Sequence, residues 1–158
     1  MDLRLVAVQI VRKALTAVGR GGSLPGRLAL KMDSRFIEKF HMPKHVILVT
    51  GTNGKTTTSN LIAKSLMQAG LKVINNSRGD NLNVGIATLL AASSDADFHV
   101  QADVAGIEVD ELTLYRQFKS LRPTALVVNN FFRDQLDRAG EMETIIRKIE
   151  EVTEDFEG

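Results

Sequence analysis

The sequence TGTNGKTTT at residues 50–58 constrains the fold more than any other stretch of the chain. It follows the apolar run HVILV at residues 45–49, which has the composition of a buried strand, and it leads into a helical pattern at residues 55–69. Glycine tolerates the dihedral angles of a tight turn, and the first N–H groups of a helix attract anions. Strand, glycine-containing turn and Lys-Thr at a helix start together predict a loop that binds phosphate groups.

Each residue type in this predicted loop has a chemical reason to be there. Gly51 and Gly54 would let the four main-chain N–H groups of residues 52–55 point at phosphate oxygens, and the positive end of the following helix would strengthen the attraction. The Lys55 ammonium would reach the β- and γ-phosphates, and the Thr56 hydroxyl would ligate Mg²⁺. The predicted nucleotide-binding residues of the loop are Gly51, Thr52, Asn53, Gly54, Lys55, Thr56 and Thr57.

The loop departs from the general P-loop pattern at one position. The pattern GxxxxGK[ST] requires glycine at position 49, where this chain has Val49. An ordinary glycine turn before a helix is the alternative, and the agreement of strand, turn, Lys-Thr pair and helix disfavours it. The chain contains no NKxD sequence of the kind that guanine-specific GTPases carry, so other residues must identify the reaction.

Apolar runs and helical patterns alternate along the rest of the chain. The predicted strands cover residues 46–50, 72–75, 104–109 and 125–129, and the predicted helices cover residues 55–69, 83–92, 112–119 and 141–151. This alternation predicts an α/β fold with a mainly parallel sheet covered by helices on both faces. Two helices precede it, one near the N-terminus and one at residues 27–40, joined by the predicted loop GRGGSLPGR. The polar segment at residues 93–103 predicts a surface loop.

Composition excludes several classes of function. The chain has no Cys, which rules out disulfides, thiolate catalysis and cysteine metal sites. Charged residues interrupt the apolar N-terminus, so it predicts an amphipathic helix instead of a signal peptide. Residues 1–50 hold nine Lys and Arg against three Asp and Glu. Such a basic segment could meet nucleic acid, anionic lipid or a phosphorylated substrate, although solvated helix faces are the commoner explanation.

Polar side chains follow two of the predicted strands. Ligands of open α/β sheets bind outside the carboxyl ends of the strands, and Glu108 lies at such an end. Mg²⁺ takes oxygen ligands, so Glu108 could complete its shell opposite Thr56. Asp110 and Glu111 follow Glu108, and their alternative role is to begin the next helix, where acidic residues are favoured. After the last strand comes a second polar group, formed by Asn130, Arg133, Asp134, Gln135, Asp137 and Arg138.

Several separate segments resemble the Mur ligase superfamily. The loop TGTNGKTT, a glutamate on a later strand and a DxLD sequence are together similar to that superfamily as a whole. The segments GRGGSLPGRLALKMD, NSRGDNL, IEVDELTL and NNFFRDQLDR are similar to a narrower family, the MurT-type synthetase subunits of lipid II isoglutaminyl synthase. The resemblance runs from about residue 19 to residue 141, which is most of the chain.

The resemblance implies an activity and a set of site residues. MurT-type subunits use ATP and Mg²⁺ to activate the α-carboxylate of D-glutamate in the lipid II stem peptide as an acyl phosphate. Ammonia from a GatD-type glutaminase subunit then gives D-isoglutamine. The resemblance implies that Lys55, Glu108 and Asp134 are catalytic, and that Thr56 and Glu108 bind Mg²⁺. It also adds Asn81 and Asn130 to the residues that bind the nucleotide.

The chain also differs from the family that it resembles. MurT-type proteins are longer, with a cysteine-bearing zinc ribbon and a C-terminal domain, whereas this chain has 158 residues and no Cys. We therefore expect the N-terminal portion of such a protein. It would comprise a helical segment at residues 1–44 and part of a three-layer, P-loop-type central ATP-binding domain at residues 45–158.

The resemblance also carries expectations about location and leaves two alternative functions open. It implies a cytoplasmic protein that acts on lipid II at the membrane surface and has no nucleic-acid partner. Peripheral contact with the inner membrane face stays open. One alternative function is a nucleotide-binding module without catalysis. The other is a Mur-type ligase that adds an amino acid, as folylpolyglutamate synthase does.

Overall fold

The computed structural model describes residues 2–17, 22–76, 81–131, 139–154 and 156. Its elements alternate along the chain as the sequence pattern predicts. The helices are α1 (Leu3–Ala17), α2 (Leu24–Met32), α3 (Lys55–Gln68), α4 (Asn83–Ser93), α5 (Glu111–Leu121) and α6 (Ala139–Thr153), with a 3₁₀ helix at Phe36–Lys39. The strands are β1 (His45–Thr50), β2 (Val73–Asn75), β3 (Val104–Glu108) and β4 (Ala125–Val128).

The four strands form one parallel sheet in the order β2-β3-β1-β4. The predicted α/β fold with a parallel sheet flanked by helices is confirmed. The inner strands β1 and β3 are apolar at nearly every position because both of their faces are covered, and every residue of β3 is buried. The register pairs Val49 with Glu108 and Thr50 with Val128, so the carboxyl ends of three strands lie at one edge of the sheet.

The N-terminal helices pack on α4. Leu5 and Val8 of α1 are fully buried, and the side-chain amide of Gln9 donates to the carbonyl oxygens of Ala91 and Ser94 at 3.1 and 3.0 Å. Within the described residues, no helix is both long enough and apolar enough to cross a bilayer. The buried Leu5 and Val8 together with the exposed Leu3 and Ile10 show that α1 is the expected amphipathic helix, with one side packed on the rest of the described chain.

The predicted loop GRGGSLPGR and the helix after it have different bounds in the structure. Helix α2 begins at Leu24, earlier than predicted. Pro25 does not prevent this, because proline is compatible with the first turn of a helix. Gly26 lies within that turn and against α4, where a Cβ atom would be 1.9 Å from the carbonyl oxygen of Val84. The predicted helix at residues 27–40 ends at Met32 and is followed by the 3₁₀ helix. Residues 19–21 of the predicted loop lie outside the described residues.

The prediction of a surface loop at residues 93–103 is wrong for two residues. Phe98 and Val100 are buried in the core, and the Phe98 ring packs edge-on against Phe36 and Phe40 at centroid distances of 5.8 and 5.0 Å. The Asp95 carboxylate closes the turn by accepting the main-chain N–H groups of His99 and Asp97, and the bond from His99 is the main reason that the pKa of Asp95 is lowered. This segment therefore contributes apolar side chains to the core while its polar residues remain at the surface.

Candidate nucleotide and metal site

The loop after β1 requires glycine at its first position. Gly51 has φ +126°, a conformation that L-residues rarely adopt, and a Cβ atom there would lie 2.8 Å from the carbonyl oxygen of Asn130. Gly54 has φ +80° and directly precedes α3. The two glycines therefore let the chain turn sharply between strand and helix while the segment after β4 lies against it.

Two asparagines at the end of β4 hold this loop. The N–H groups of Thr52 and Asn53 donate to the main-chain oxygen and the side-chain oxygen of Asn130, at 2.7 and 3.0 Å. The side-chain amide of Asn129 donates to the carbonyl oxygen of Asn53 and to the Thr58 hydroxyl. Asn130, predicted as a nucleotide contact, thus contacts the loop itself. Two of the four N–H groups expected to face phosphate are donated to Asn130.

The first turn of α3 retains donors for an anion. Gly54, Lys55, Thr56 and Thr57 make no hydrogen bond through their N–H groups in the part of the chain that the structure describes. Such unpaired groups at a helix start carry partial positive charge and attract phosphate. The candidate phosphate site therefore lies at residues 54–57, slightly further along the chain than the sequence pattern indicates.

The Lys55 ammonium lies across the mouth of the loop. It donates to the carbonyl oxygens of Gly51 and Thr52, and it lies 3.8 Å from a carboxylate oxygen of Glu111. Its side chain is only 14% exposed. These contacts connect the loop to the first turn of α5, so Glu111 belongs to the same site. Asp110 begins the next helix instead of joining the site. Its side chain caps α5 by accepting the N–H groups of Leu112 and Thr113 at 3.2 and 3.0 Å.

Glu108 supplies a buried carboxylate at the end of β3. The residue is 2% exposed, and its Oε1 atom accepts a hydrogen bond of 3.2 Å from the side-chain amide of Asn81. Its Oε2 atom makes no hydrogen bond in the described part of the molecule. A buried carboxylate oxygen without a partner is costly, and a cation beside it removes the cost. The predicted residues Glu108 and Asn81 are thus in contact.

The donor set fits a hard cation such as Mg²⁺. Glu108 and Thr56 both offer oxygen, the element that Mg²⁺ prefers. No cluster of three or more His, Asp or Glu side chains suited to a metal occurs within the described residues. A Mg²⁺ ion here would therefore take most of its ligands from phosphate and water, as Mg²⁺ ions in nucleotide sites usually do.

Some predicted site residues lie outside the described residues, and others were missed. Asp134 is outside them, as are Arg133, Gln135, Asp137 and Arg138. The sequence indicated that the segment beginning at Asn76 supplies amide and carboxylate groups at this edge, but it gave no individual role to Asn76 or Asn129, each of which directly follows the end of a strand. Only their positions after strand ends could have pointed to them. The residue type itself is not informative, because asparagine is common in the turns that follow strands.

A parallel sheet with a glycine-containing loop after an inner strand, and a buried carboxylate on the neighbouring strand, defines a P-loop-type nucleotide-binding domain. Residues 49–157 match the Mur ligase middle domain, and the chain belongs to the Mur ligase family. It is 39% identical over 145 residues to the MurT subunit of lipid II isoglutaminyl synthase (glutamine-hydrolyzing) from Staphylococcus aureus strain COL. That match covers 90% of this chain and 32% of that protein.

Two further comparisons give the extent of the similarity. The subunit of the same name from Streptococcus pneumoniae is 37% identical over 149 residues, covering 93% of this chain and 32% of that protein. The chain thus spans about a third of the length of these curated relatives. A solved structure of UDP-N-acetylmuramoyl-L-alanyl-D-glutamate–2,6-diaminopimelate ligase aligns over 80% of this chain and 28% of its own, with a TM-score of 0.45 at 20% identity.

Proposed function

We propose that this chain is the ATP-binding part of a synthetase subunit that amidates the α-carboxylate of D-glutamate in the lipid II stem peptide. The observation that carries this proposal is 37–39% identity over about nine-tenths of the chain to subunits whose name specifies lipid II and glutamine hydrolysis. The nitrogen would come as ammonia from a GatD-type glutaminase subunit. Acting on a lipid-linked substrate would bring the protein to the cytoplasmic face of the membrane.

The described residues support an ATP site. Membership of the Mur ligase middle domain implies ATP binding, and the N–H groups at residues 54–57 are suited to the phosphates. Lys55 is proposed as the cation that neutralises charge on the γ-phosphate, because its ammonium already lies across the loop. Asn130 is proposed to act by holding the loop, since it accepts the N–H groups of Thr52 and Asn53.

Glu108 and Thr56 are the proposed protein ligands of Mg²⁺. Asn81 orients the Glu108 carboxylate through Oε1, and Oε2 has no hydrogen bond within the described residues. When bound, Mg²⁺ would neutralise phosphate charge and orient the γ-phosphate for transfer. Asn81 is held in turn, because its carbonyl oxygen accepts the N–H of Asp110 at 3.1 Å. These contacts support a carboxylate that is oriented before any metal binds.

The proposed reaction has two steps, phosphorylation of the carboxylate and attack by ammonia. A carboxylate oxygen of D-glutamate attacks the γ-phosphorus of ATP, and ADP leaves as the acyl phosphate forms. Ammonia then attacks the acyl carbon, inorganic phosphate leaves, and the nitrogen loses a proton to give the carboxamide. Lys55 would stabilise the charge that spreads over the transferred phosphoryl group. Asp134 remains a proposed catalytic residue on the resemblance alone.

The division of the chain at residue 44 is part of the same proposal. Residues 1–44 would be a helical segment, and residues 45–158 would be part of the central ATP-binding domain. Because the chain spans about a third of its MurT relatives, a nucleotide-binding module without catalysis is the second candidate function for these residues. The two candidates differ in whether the longest natural form of the protein amidates lipid II with the help of these residues.

The test is an amidation assay on the longest natural form of the protein, together with its glutaminase partner. Lipid II, ATP and glutamine are supplied, and mass spectrometry detects conversion of the stem-peptide carboxyl to the carboxamide. Lys55→Ala should abolish turnover while leaving the fold intact, because Lys55 faces the loop and not the core. Loss of a charge-assisted contact to phosphate costs roughly 1.5–3 kcal/mol of binding.

Lys64→Ala is the matched control, because Lys64 is an exposed lysine on the same helix. Its turnover should equal that of the wild type. Normal turnover in Lys55→Ala would refute the phosphate-loop assignment. Transfer of an amino acid in place of ammonia would replace the amidation proposal with a Mur-type ligase that adds an amino acid.

A further inference from the structure

The side chain of Asn76 binds both main-chain polar groups of Glu108. Its Nδ2 atom donates to the carbonyl oxygen of Glu108 at 2.7 Å, and its Oδ1 atom accepts the N–H of Glu108 at 2.8 Å. Asn76 is 8% exposed, so this pair of bonds is buried. We call this two-point contact the Asn76 clamp.

The clamp continues the sheet beyond the point where its edge strand ends. The pairing between β2 and β3 ends with Asn75 opposite Gly106. A carboxamide has the same donor and acceptor as a peptide group, so the Asn76 side chain can serve Glu108 as a neighbouring strand would. On its other side β3 is held by β1, where the N–H of Val109 donates to the carbonyl oxygen of Val49 at 2.9 Å. The main chain around Glu108 is therefore fixed from both sides.

The carboxylate of Glu108 depends on this main-chain position. Asn81 holds Oε1, and Oε2 has no hydrogen bond within the described residues, so one oxygen is oriented and the other is available. A shift of the main chain would move Oε2 relative to the phosphate loop, which follows the neighbouring strand β1. Groups that orient a metal ligand without touching the metal affect metal binding strongly.

We propose that Asn76 is the positioning residue of the metal site: it sets where the Glu108 carboxylate meets the cation. This inference rests on the proposed function, because it takes Glu108 as a Mg²⁺ ligand. In this proposal Asn76 acts through the main chain of Glu108, to which both of its side-chain polar atoms are bonded. Its effect should therefore appear in metal affinity and not in the affinity for nucleotide without metal.

The test measures Mn²⁺ binding by electron paramagnetic resonance, with a non-hydrolysable ATP analogue present, on the longest natural form of the protein. Asn76→Ala should weaken Mn²⁺ binding roughly 10-fold to 100-fold, the range typical for loss of a group that orients a metal ligand. Binding of the same analogue in EDTA should be unchanged. Asn75→Ala is the matched control, because that neighbouring side chain bonds to Asn60 and not to Glu108, and it should bind Mn²⁺ normally.

Asn76→Asp separates positioning from charge and guards against a variant that fails to fold. The substituted side chain has nearly the same size and keeps the acceptor for the Glu108 N–H, but it loses the donor for the Glu108 carbonyl. An added negative charge near a cation would by itself strengthen Mn²⁺ binding. Weaker binding in Asn76→Asp therefore indicates altered geometry, and stronger binding would overturn the proposal.

A fourth variant, Glu108→Gln, distinguishes failure of this inference from failure of the metal assignment. If Glu108→Gln binds Mn²⁺ as the wild type does, Glu108 is not a metal ligand, and the positioning role proposed for Asn76 is also wrong. If Glu108→Gln binds poorly while both Asn76 variants bind normally, the metal assignment stands and Asn76 has only a structural role. A lower unfolding temperature in Asn76→Ala with wild-type Mn²⁺ affinity would lead to the same conclusion.

Discussion

Replacing Gly51 by alanine tests whether the loop after β1 is built around a glycine. The φ of Gly51 is +126°, and holding an L-residue in such a sparsely populated region costs roughly 1–3 kcal/mol. The new Cβ would also lie 2.8 Å from the carbonyl oxygen and 2.9 Å from the nitrogen of Asn130. Both atoms belong to the main chain, so the loop or the segment after β4 must move, and overpacking of this kind adds about 1–3 kcal/mol.

The two costs add to about 2–6 kcal/mol, a large part of the roughly 5–15 kcal/mol that keeps a domain folded. Gly70→Ala is the control that separates them. Gly70 also has a positive φ, +87°, but a Cβ there meets no atom within 4 Å. Its loss should be limited to the conformational cost, about 1–2 kcal/mol. A loss in Gly51→Ala that exceeds the loss in Gly70→Ala by more than about 1 kcal/mol, the difference between the upper conformational costs of the two positions, therefore reports the contact with Asn130.

The assay is urea denaturation with linear extrapolation, followed by calorimetry with MgATP on the variants that remain folded. Gly51→Ala should lose more stability than Gly70→Ala and should also lose nucleotide binding, because the loop that it displaces carries Lys55. Gly70→Ala should bind MgATP as the wild type does. Equal stability losses in the two variants would refute the packing argument. Wild-type nucleotide affinity in Gly51→Ala would show that the loop tolerates displacement.

Three other predictions concern separate parts of the molecule. Gly26→Ala should destabilise the fold by about 3 kcal/mol or more, because its Cβ would lie 1.9 Å from the Val84 carbonyl oxygen and force α2 away from α4; urea denaturation measures this. Asp110→Ala should cost about 0.5–2 kcal/mol through loss of the α5 cap, whereas Asp110→Asn should cost little, and thermal unfolding compares them. Residues 1–158 alone should bind MgATP weakly in calorimetry and should not amidate lipid II with a glutaminase partner; turnover would mean that the functional unit is smaller than we propose.

The sequence alone was sufficient for the element types and most of their bounds. The helix predicted at residues 55–69 is α3 at Lys55–Gln68, and the strand predicted at residues 104–109 is β3 at Val104–Glu108. Both follow from local periodicity and composition, which the side chains of one segment decide by themselves. Glycine and Lys-Thr at a strand–helix junction likewise indicated a phosphate loop without any distant contact. Glu108 was found because parallel strands bring their carboxyl ends to one edge.

Only the tertiary structure decided which groups the site residues contact. The order β2-β3-β1-β4 sets Val49 beside Glu108, a pairing between residues far apart in the sequence. It also lets Asn76 clamp Glu108, and it lets Asn130 take the N–H groups of Thr52 and Asn53 that were expected to face phosphate. Phe98 joined the core for the same reason, since its partners Phe36 and Phe40 belong to a separate segment of the sequence, at the 3₁₀ helix. Such contacts depend on strand order and register, and no local pattern of residues specifies either.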